Sequence, residues 1–184
     1  MIELKNKSPN ILVIGDLMID QYFWGKSERI SPEAPVQVIN VSDESMVLGG
    51  AGNVINNLKV LSSNVDVISV IGNDENAIKL KDLLTAINVD IKYLITEDNR
   101  ITSKKSRVIA SQQQVIRYDR ESINEISKTS QKLILETFKK IINNYDIVLI
   151  SDYGKGILST KLTQSMINVA SQNNKKVLID PKGL

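Results

Sequence analysis

The chain has 184 residues, 42% of them hydrophobic, with 23 basic and 21 acidic side chains and a net charge of +2. That length and apolar share fit one globular domain, or one domain with a small appendage, and the balanced charge leaves no electrostatic footprint for nucleic acid. There is no cysteine and no histidine, which excludes disulfides, thiolate or imidazole metal sites, cysteine nucleophiles and Ser-His-Asp chemistry.

What remains for chemistry is Asp, Glu, Lys, Arg, backbone amides and bound ions. That set suits phosphoryl transfer, which relies on positioning and charge stabilisation. Residues 1–10 are polar and charged and do not read as a signal peptide. No apolar run approaches membrane-spanning length. The cytoplasm is the expected compartment, with no membrane partner.

In chain order, Ile11-Leu12-Val13-Ile14 is a short buried strand ended by Gly15-Asp16. Asp20 and the cluster Tyr22-Phe23-Trp24 follow, then an irregular loop, Ser31-Pro32-Glu33-Ala34-Pro35, whose prolines bias their predecessors away from helix. Residues 36–41 and 46–48 read as two strands. They lead into Leu48-Gly49-Gly50-Ala51-Gly52-Asn53, three glycines in four positions at the start of a helical period carried by Val54, Ile55, Leu58 and Leu61. Such a loop permits positive φ and close approach, and the free amides of a helix start suit polar or anionic ligands. Asn53 either caps that helix or presents its amide to a ligand, and a plain tight turn is the equal alternative.

Residues 65–71 alternate as a strand and end in the turn Gly72-Asn73-Asp74; residues 75–87 form an amphipathic helix through Leu80, Leu83, Leu84 and Ile87. Residues 91–95, 105–110 and 115–118 read as strands without intervening helices, an antiparallel region standing off the main sheet. Alternation then resumes: a helix over 130–145, a strand over 146–150, a helix capped by Ser159, and a last strand over 176–179. The pattern predicts an α/β fold with a parallel sheet and crossover helices. Its ligands sit beyond the carboxyl ends of the strands, and Asp16, Asp74, Asp152 and Asp180 all fall there. Any one of them alone reads as an Asx turn; together with Asp20 and the glycine loop they point to a polar small-molecule site, with a divalent cation as a possible companion.

Two motif fragments fail on spacing. The first glycine of a P-loop ending at Gly25-Lys26-Ser27 would fall on Asp20, and the third glycine of a dinucleotide fingerprint begun at Gly50 would fall on Ile55. A dinucleotide-binding oxidoreductase is therefore disfavoured.

The stretches Ile14-Gly15-Asp16-Leu17-Met18-Ile19-Asp20, Arg29-Ile30-Ser31-Pro32-Glu33-Ala34-Pro35 and Gly49-Gly50-Ala51-Gly52-Asn53 resemble the ribokinase-type (PfkB) sugar kinases. With Gln113-Gln114-Val115-Ile116-Arg117, Ser151-Asp152-Tyr153-Gly154-Lys155-Gly156 and Asp180-Pro181-Lys182-Gly183, the chain is more narrowly similar to the heptose 7-phosphate kinase branch, the amino-terminal kinase region of bifunctional ADP-heptose synthesis proteins. The resemblance implies a ribokinase-like parallel sheet flanked by helices, with a small β lid over the sugar built from segments near 36–48 and 91–118. It implies homodimers joined through the lids, and ATP and Mg²⁺ as cofactors. The implied reaction transfers the γ-phosphoryl group of ATP to the anomeric hydroxyl of D-glycero-β-D-manno-heptose 7-phosphate, for lipopolysaccharide core synthesis.

By the same resemblance, Asp16 and Asp20 accept hydrogen bonds from sugar hydroxyls, and Gly49, Gly50 and Asn53 hold the sugar. Lys105, Arg107 and Arg117 are candidates for the distal phosphate, or else a solvated strand face. Asp152 and Lys155 belong to the inner site, and Asp180 and Lys182 to the vicinity of nucleotide and metal. The family's catalytic aspartate, in a Gly-Ala-Gly-Asp stretch, has no counterpart here, nor do the Asn-x-x-Glu segment and the adenine pocket. The catalytic residue is therefore unassigned and expected beyond Leu184. The chain reads as the amino-terminal half of the fold, expected to bind weakly and not to turn over alone. The alternative is a non-catalytic module that binds a sugar phosphate or pairs with another chain.

Overall fold

The run Ile11-Leu12-Val13-Ile14 lies at the centre of β1 (Asn10–Gly15), and every one of its four side chains is buried. In a pleated strand, alternate side chains face opposite sides, and both sides here are covered. Leu12 and Ile14 enter one core cluster, Ile11 and Val13 the other. The computed structural model describes residues 8–182; residues 1–7 of the polar amino-terminal stretch, and Gly183 and Leu184 of the last motif, lie outside the described residues.

β1 pairs in parallel with β4 (Asn64–Gly72) on one side and β8 (Ile147–Ser151) on the other. β5 (Leu94–Glu97) and β9 (Lys176–Asp180) complete a five-stranded parallel sheet in the order β5-β4-β1-β8-β9. Helices α1 (Ala51–Val60) and α2 (Glu75–Ala86) contribute Ile55, Leu80 and Leu84 to one core, whereas α3 (Lys128–Ile141) and α4 (Thr160–Gln172) contribute Ile134, Phe138 and Met166 to the other. Asp74, Ser127 and Ser159 each cap a helix by accepting a backbone N–H bond with the side chain.

A second sheet has four strands in the order β3-β2-β6-β7, namely β3 (Gln37–Gly50), β2 (Leu17–Ile30), β6 (Lys104–Ala110) and β7 (Gln113–Arg120). β2 and β3 are antiparallel, β2 and β6 parallel, and β6 and β7 form a hairpin. The base of this sheet is rooted in the first core through Leu17, Ile19 and Leu48.

Three expectations are corrected. The strands read at 36–41 and 46–48 are one continuous strand, bulged against β2 rather than broken. Residues 17–30, not read as a strand, form the longest pairing of the second sheet. The segment near 91–95 does not belong to the stand-off region: β5 pairs with β4 because its register, Ser69 to Leu94 through Gly72 to Glu97, extends the parallel sheet.

Phe138 is completely buried among Leu12, Ile68, Ile150 and Met166. Phe138→Ala is expected to destabilise by about 3–5 kcal/mol, read as a lower urea midpoint at unchanged slope. Leu61, 75% exposed at the end of α1, serves as the control: Leu61→Ala stays within about 0.5 kcal/mol.

Candidate active site

A single residue, Asp16, separates β1 from β2, so the two sheets meet at its backbone. Its N–H donates to Ser151 O at 3.2 Å, and its carbonyl accepts from Ala51 N at 3.0 Å. Its carboxylate is fully buried, and Oδ2 accepts from the backbone N–H groups of Tyr153 (2.8 Å) and Lys155 (3.2 Å). Oδ1 and the neighbouring Ser151 Oγ are buried without a partner among the described residues. Burial pushes the Asp16 carboxyl above its ordinary value; the amide donors pull it down, and the charge of Asp152 adds to the rise. Asp16 therefore does not offer its carboxylate to an open site. It positions the 152–156 loop.

Arg100 holds the same loop from the other side. It is 8% exposed, and its guanidinium donates to the carbonyls of Lys155 and Asn124. Burial lowers its pKa from the ordinary guanidinium value, with Glu97 and Asp16 opposing that shift.

The glycine stretch approaches its own chain. Gly50, at φ +56, is the residue before α1, and a Cβ there would lie 2.6 Å from Asp16 O. A Cβ on Gly49 would collide with the Asp20 carboxylate. Because α1 starts at Ala51, Asn53 is inside its first turn and is not the cap; Gly50 occupies that position without a side-chain bond. Asn53 instead lines a cavity of about 380 Å³ with Met46, Leu48, Asn56, Leu83 and Ile87, and neither Asp16 nor Asp20 lines it.

Register puts the expected lid residues on one face of the second sheet. Asp20 opposes Lys105, Tyr22 opposes Arg107, Lys105 opposes Asp119, and Arg107 opposes Arg117. The two arginines facing each other would repel, and each has a carboxylate to offset that. Arg107 binds Asp20 at 2.5 Å and lies over the Tyr22 ring, 5.2 Å from its centroid. The hydrogen bond to Asp20 raises the Arg107 pKa further. Arg117 binds Asp119 at 3.1 Å, and Asp119 also accepts from Lys105 at 2.9 Å. That Lys105 bond holds the Asp119 carboxyl below the usual carboxylate range.

Glu121, just past β7, receives Lys155 Nζ at 2.6 Å and Lys105 Nζ at 3.4 Å. Glu121, Asp119 and Arg100 were missed by sequence reasoning. The signal for the first two was the period-2 run Arg117, Asp119, Glu121, whose alternation carries charges along one side of β7 and just past its end.

The carboxyl edge of the parallel sheet carries its four aspartates, but their work is mostly local. Asp74 caps α2 with Oδ1 and accepts from Thr102 N with Oδ2. Asp152 accepts from Gly154 N in an Asx turn, and its own N–H donates to Asp180 O at 2.9 Å. Lys182 lies over Gly154, at φ +66, where a Cβ would come within 2.6 Å of its Cδ. The structure thus groups Asp20, Gly49, Lys105, Arg107 and Arg117 on one face, joins Lys155 to them through Glu121, and brings Asp152, Asp180 and Lys182 together beside the loop. Asn53 lines a cavity that neither Asp16 nor Asp20 lines. Among the described residues, no group of three or more carboxylates is placed to cage a metal ion, and no helix is long and apolar enough to cross a membrane.

The description of pfkB family carbohydrate kinases matches residues 8–184. The chain belongs to the PfkB family of carbohydrate kinases. It is 63% identical over 178 residues to the bifunctional protein HldE of Aliarcobacter butzleri, covering 97% of this chain and 37% of that protein. To the HldE proteins of Sulfurimonas denitrificans and Helicobacter hepaticus it is 56% and 50% identical, covering 98% and 100% of this chain and 38% of each. The chain thus spans slightly over a third of the length of these relatives. Among solved structures, Arabidopsis thaliana ribokinase complexed with ribose and ATP superposes with a TM-score of 0.66 at 15% identity, covering 97% of this chain and 55% of that one. A possible 1-phosphofructokinase from Thermotoga maritima gives 0.68 at 16%, covering 94% and 54%. These likenesses show the ribokinase-like fold of a PfkB kinase.

Because the native Asp16 value is raised above 3.8, the folded state takes up a proton before the unfolded chain does. Relative to Asp16→Asn, the wild type is expected to gain stability as pH falls from the raised native value toward 3.8. Paired urea titrations stepped down from about pH 7 read this difference. Asp16→Ala, which removes the acceptor from two loop amides, is expected to cost about 1–3 kcal/mol for each amide left unsatisfied.

Proposed function

We propose that these residues form the sugar-binding part of a kinase that transfers the γ-phosphoryl group of ATP to the anomeric hydroxyl of D-glycero-β-D-manno-heptose 7-phosphate, in ADP-heptose synthesis for the lipopolysaccharide core. The observation that carries this reading is the Asp20 carboxylate seated against Gly49 on a face crowded with Lys105, Arg107 and Arg117. It is supported by identities of 50–63% to HldE proteins across nearly all of this chain. In this reading a carboxylate orients sugar hydroxyls, the cations receive the distal phosphate, and Asp180 and Lys182 approach the nucleotide.

ATP supplies the transferred group. Mg²⁺ in kinases is held by one or two carboxylates together with nucleotide phosphates. The described residues do not by themselves define such a site, so no step is assigned to the ion. Abstraction of the anomeric proton needs a base within hydrogen-bond reach. Asp16 is committed to backbone amides, and Asp20, Asp119 and Glu121 to cations. We assign the base to residues outside this stretch, and residues 1–184 alone are then expected to bind the sugar phosphate without turnover.

The second sheet has a contrasting opposite face. Phe23, Val41, Val108, Ile116 and Tyr118 share it by register, and Val41, Ile116 and Tyr118 are about half exposed. We propose that this face is the lid's dimer contact, since exposed apolar patches mark interaction sites and β3 and β7 are unpaired edges.

A non-catalytic binding or chain-pairing module is the second reading, favoured by the engagement of Asp20, Asp119 and Glu121 with cations. Two experiments decide. The full-length gene product, given ATP, Mg²⁺ and heptose 7-phosphate, is expected to release ADP, and Asp20→Asn to lower kcat/KM about 10–100-fold, the size of one charged hydrogen bond. No ADP release from the folded wild type favours the binding module. Light scattering is expected to give a dimer for the wild type and a monomer for the double variant Val41→Glu/Ile116→Glu.

A further inference from the structure

Glu121 bridges two lysines that belong to different parts of the molecule. Lys105 stands on β6 of the second sheet, and Lys155 on the loop after β8 of the parallel sheet. Their ammonium groups lie 3.4 Å and 2.6 Å from the two oxygens of one carboxylate, and all three side chains are at most 16% exposed. The two cations have fixed origins. The main chain of Lys155 is held at its N–H by Asp16 and at its carbonyl by Arg100. Lys105 sits in register between Asp20 and Asp119. Glu121, by contrast, lies in the irregular connection between β7 and α3, which makes it the partner with freedom to leave.

We infer that Glu121 is an internal stand-in for the phosphate of the substrate. This inference rests on the sugar-phosphate reading above. A phosphate monoester carries a charge of about −1.5 to −2 near neutral pH and three terminal oxygens, against one charge and two oxygens for Glu121. Only such an anion outcompetes the carboxylate for two ammonium groups at once. A neutral sugar does not displace it. Without ligand, Glu121 neutralises two largely buried cations that would otherwise repel each other. With ligand, the phosphate takes over the bridge between the second sheet and the 152–156 loop. Glu121 thus sets the affinity for the phosphate: its competition weakens phosphate binding and keeps the two lysines bridged until the phosphate replaces it.

The test uses the full-length gene product. Glu121→Gln keeps the shape and removes the competing charge. It is expected to tighten binding of inorganic phosphate, measured by titration calorimetry without sugar, about 3–10-fold, and to lower KM for the sugar phosphate by a similar factor, with the effect concentrated in KM. Lys155→Met is expected to weaken phosphate at least about 10-fold. Unchanged or weaker phosphate binding in a folded Glu121→Gln overturns the inference and makes Glu121 a brace or a direct ligand. If Glu121→Gln does not fold, Glu121→Asp, too short to span both lysines, is expected to tighten phosphate in the same direction, and the absence of a shift there overturns the inference equally. The two readings fail separately. Tighter phosphate in Glu121→Gln without heptose phosphate turnover sinks the proposed substrate alone, and turnover without the phosphate shift sinks the role of Glu121 alone.

Discussion

Two backbone N–H groups, those of Tyr153 and Lys155, end on a single buried oxygen of Asp16, and much of the site is positioned by that contact. A carboxylate in a low-dielectric interior is tolerated only when hydrogen-bonded, and its donors here come from a loop 137 and 139 positions away in sequence. Since Asp16 is also the only residue between β1 and β2, the bond fixes three things together: the exit of the central strand, the departure angle of the second sheet, and the path of the 152–156 loop. Arg100 closes the arrangement from the far side, so the loop has an anion on one flank and a cation on the other. Among the described residues Oδ1 has no partner, and burial shifts this carboxyl upward.

From that junction outward four cations each meet a carboxylate: Arg107 with Asp20, Arg117 with Asp119, Lys105 with Asp119 and Glu121, Lys155 with Glu121. Isolated surface ion pairs contribute little, but half-buried chains of them order side chains that would otherwise wander. The geometry of these pairs is dictated by strand register. The opposite face has no such chain and leaves apolar groups open to water.

Much of the fold was legible because it is written in periodicity. β1, β4 and β8 are short apolar runs between turn residues, and α2, α3 and α4 show helical spacing, with Ser159 as an explicit cap. β2 was hidden because three aromatics in a row and the Gly25-Lys26-Ser27 segment break the alternation, and it exists through pairing with β3 and β6 rather than through local preference. The hairpin turn Ser111-Gln112 takes positive φ at both residues without glycine or asparagine, so the usual turn signal was absent. In the site, Asp20, Gly49 and the cations of β6 and β7 were named from the family resemblance, and the structure places them on one face. The burial of Asp16 did not, because a carboxylate bound to amides and one facing a ligand have the same one-dimensional signature.

The parallel pairing of β2 with β6 has a consequence for how the molecule is made. Asp20 and Arg107, which meet on that ladder, are 87 positions apart, and between them the chain must complete β3, α1, β4, α2 and β5. Closing so long a loop carries an entropic cost that only an already assembled framework offsets. The hairpins β2–β3 and β6–β7 form from nearer neighbours, but their joining waits for the parallel sheet to bring them side by side. The meeting of Asp20 with Arg107 is thus a late step of folding, whereas the Lys105–Asp119 and Arg117–Asp119 pairs belong to the β6–β7 hairpin itself.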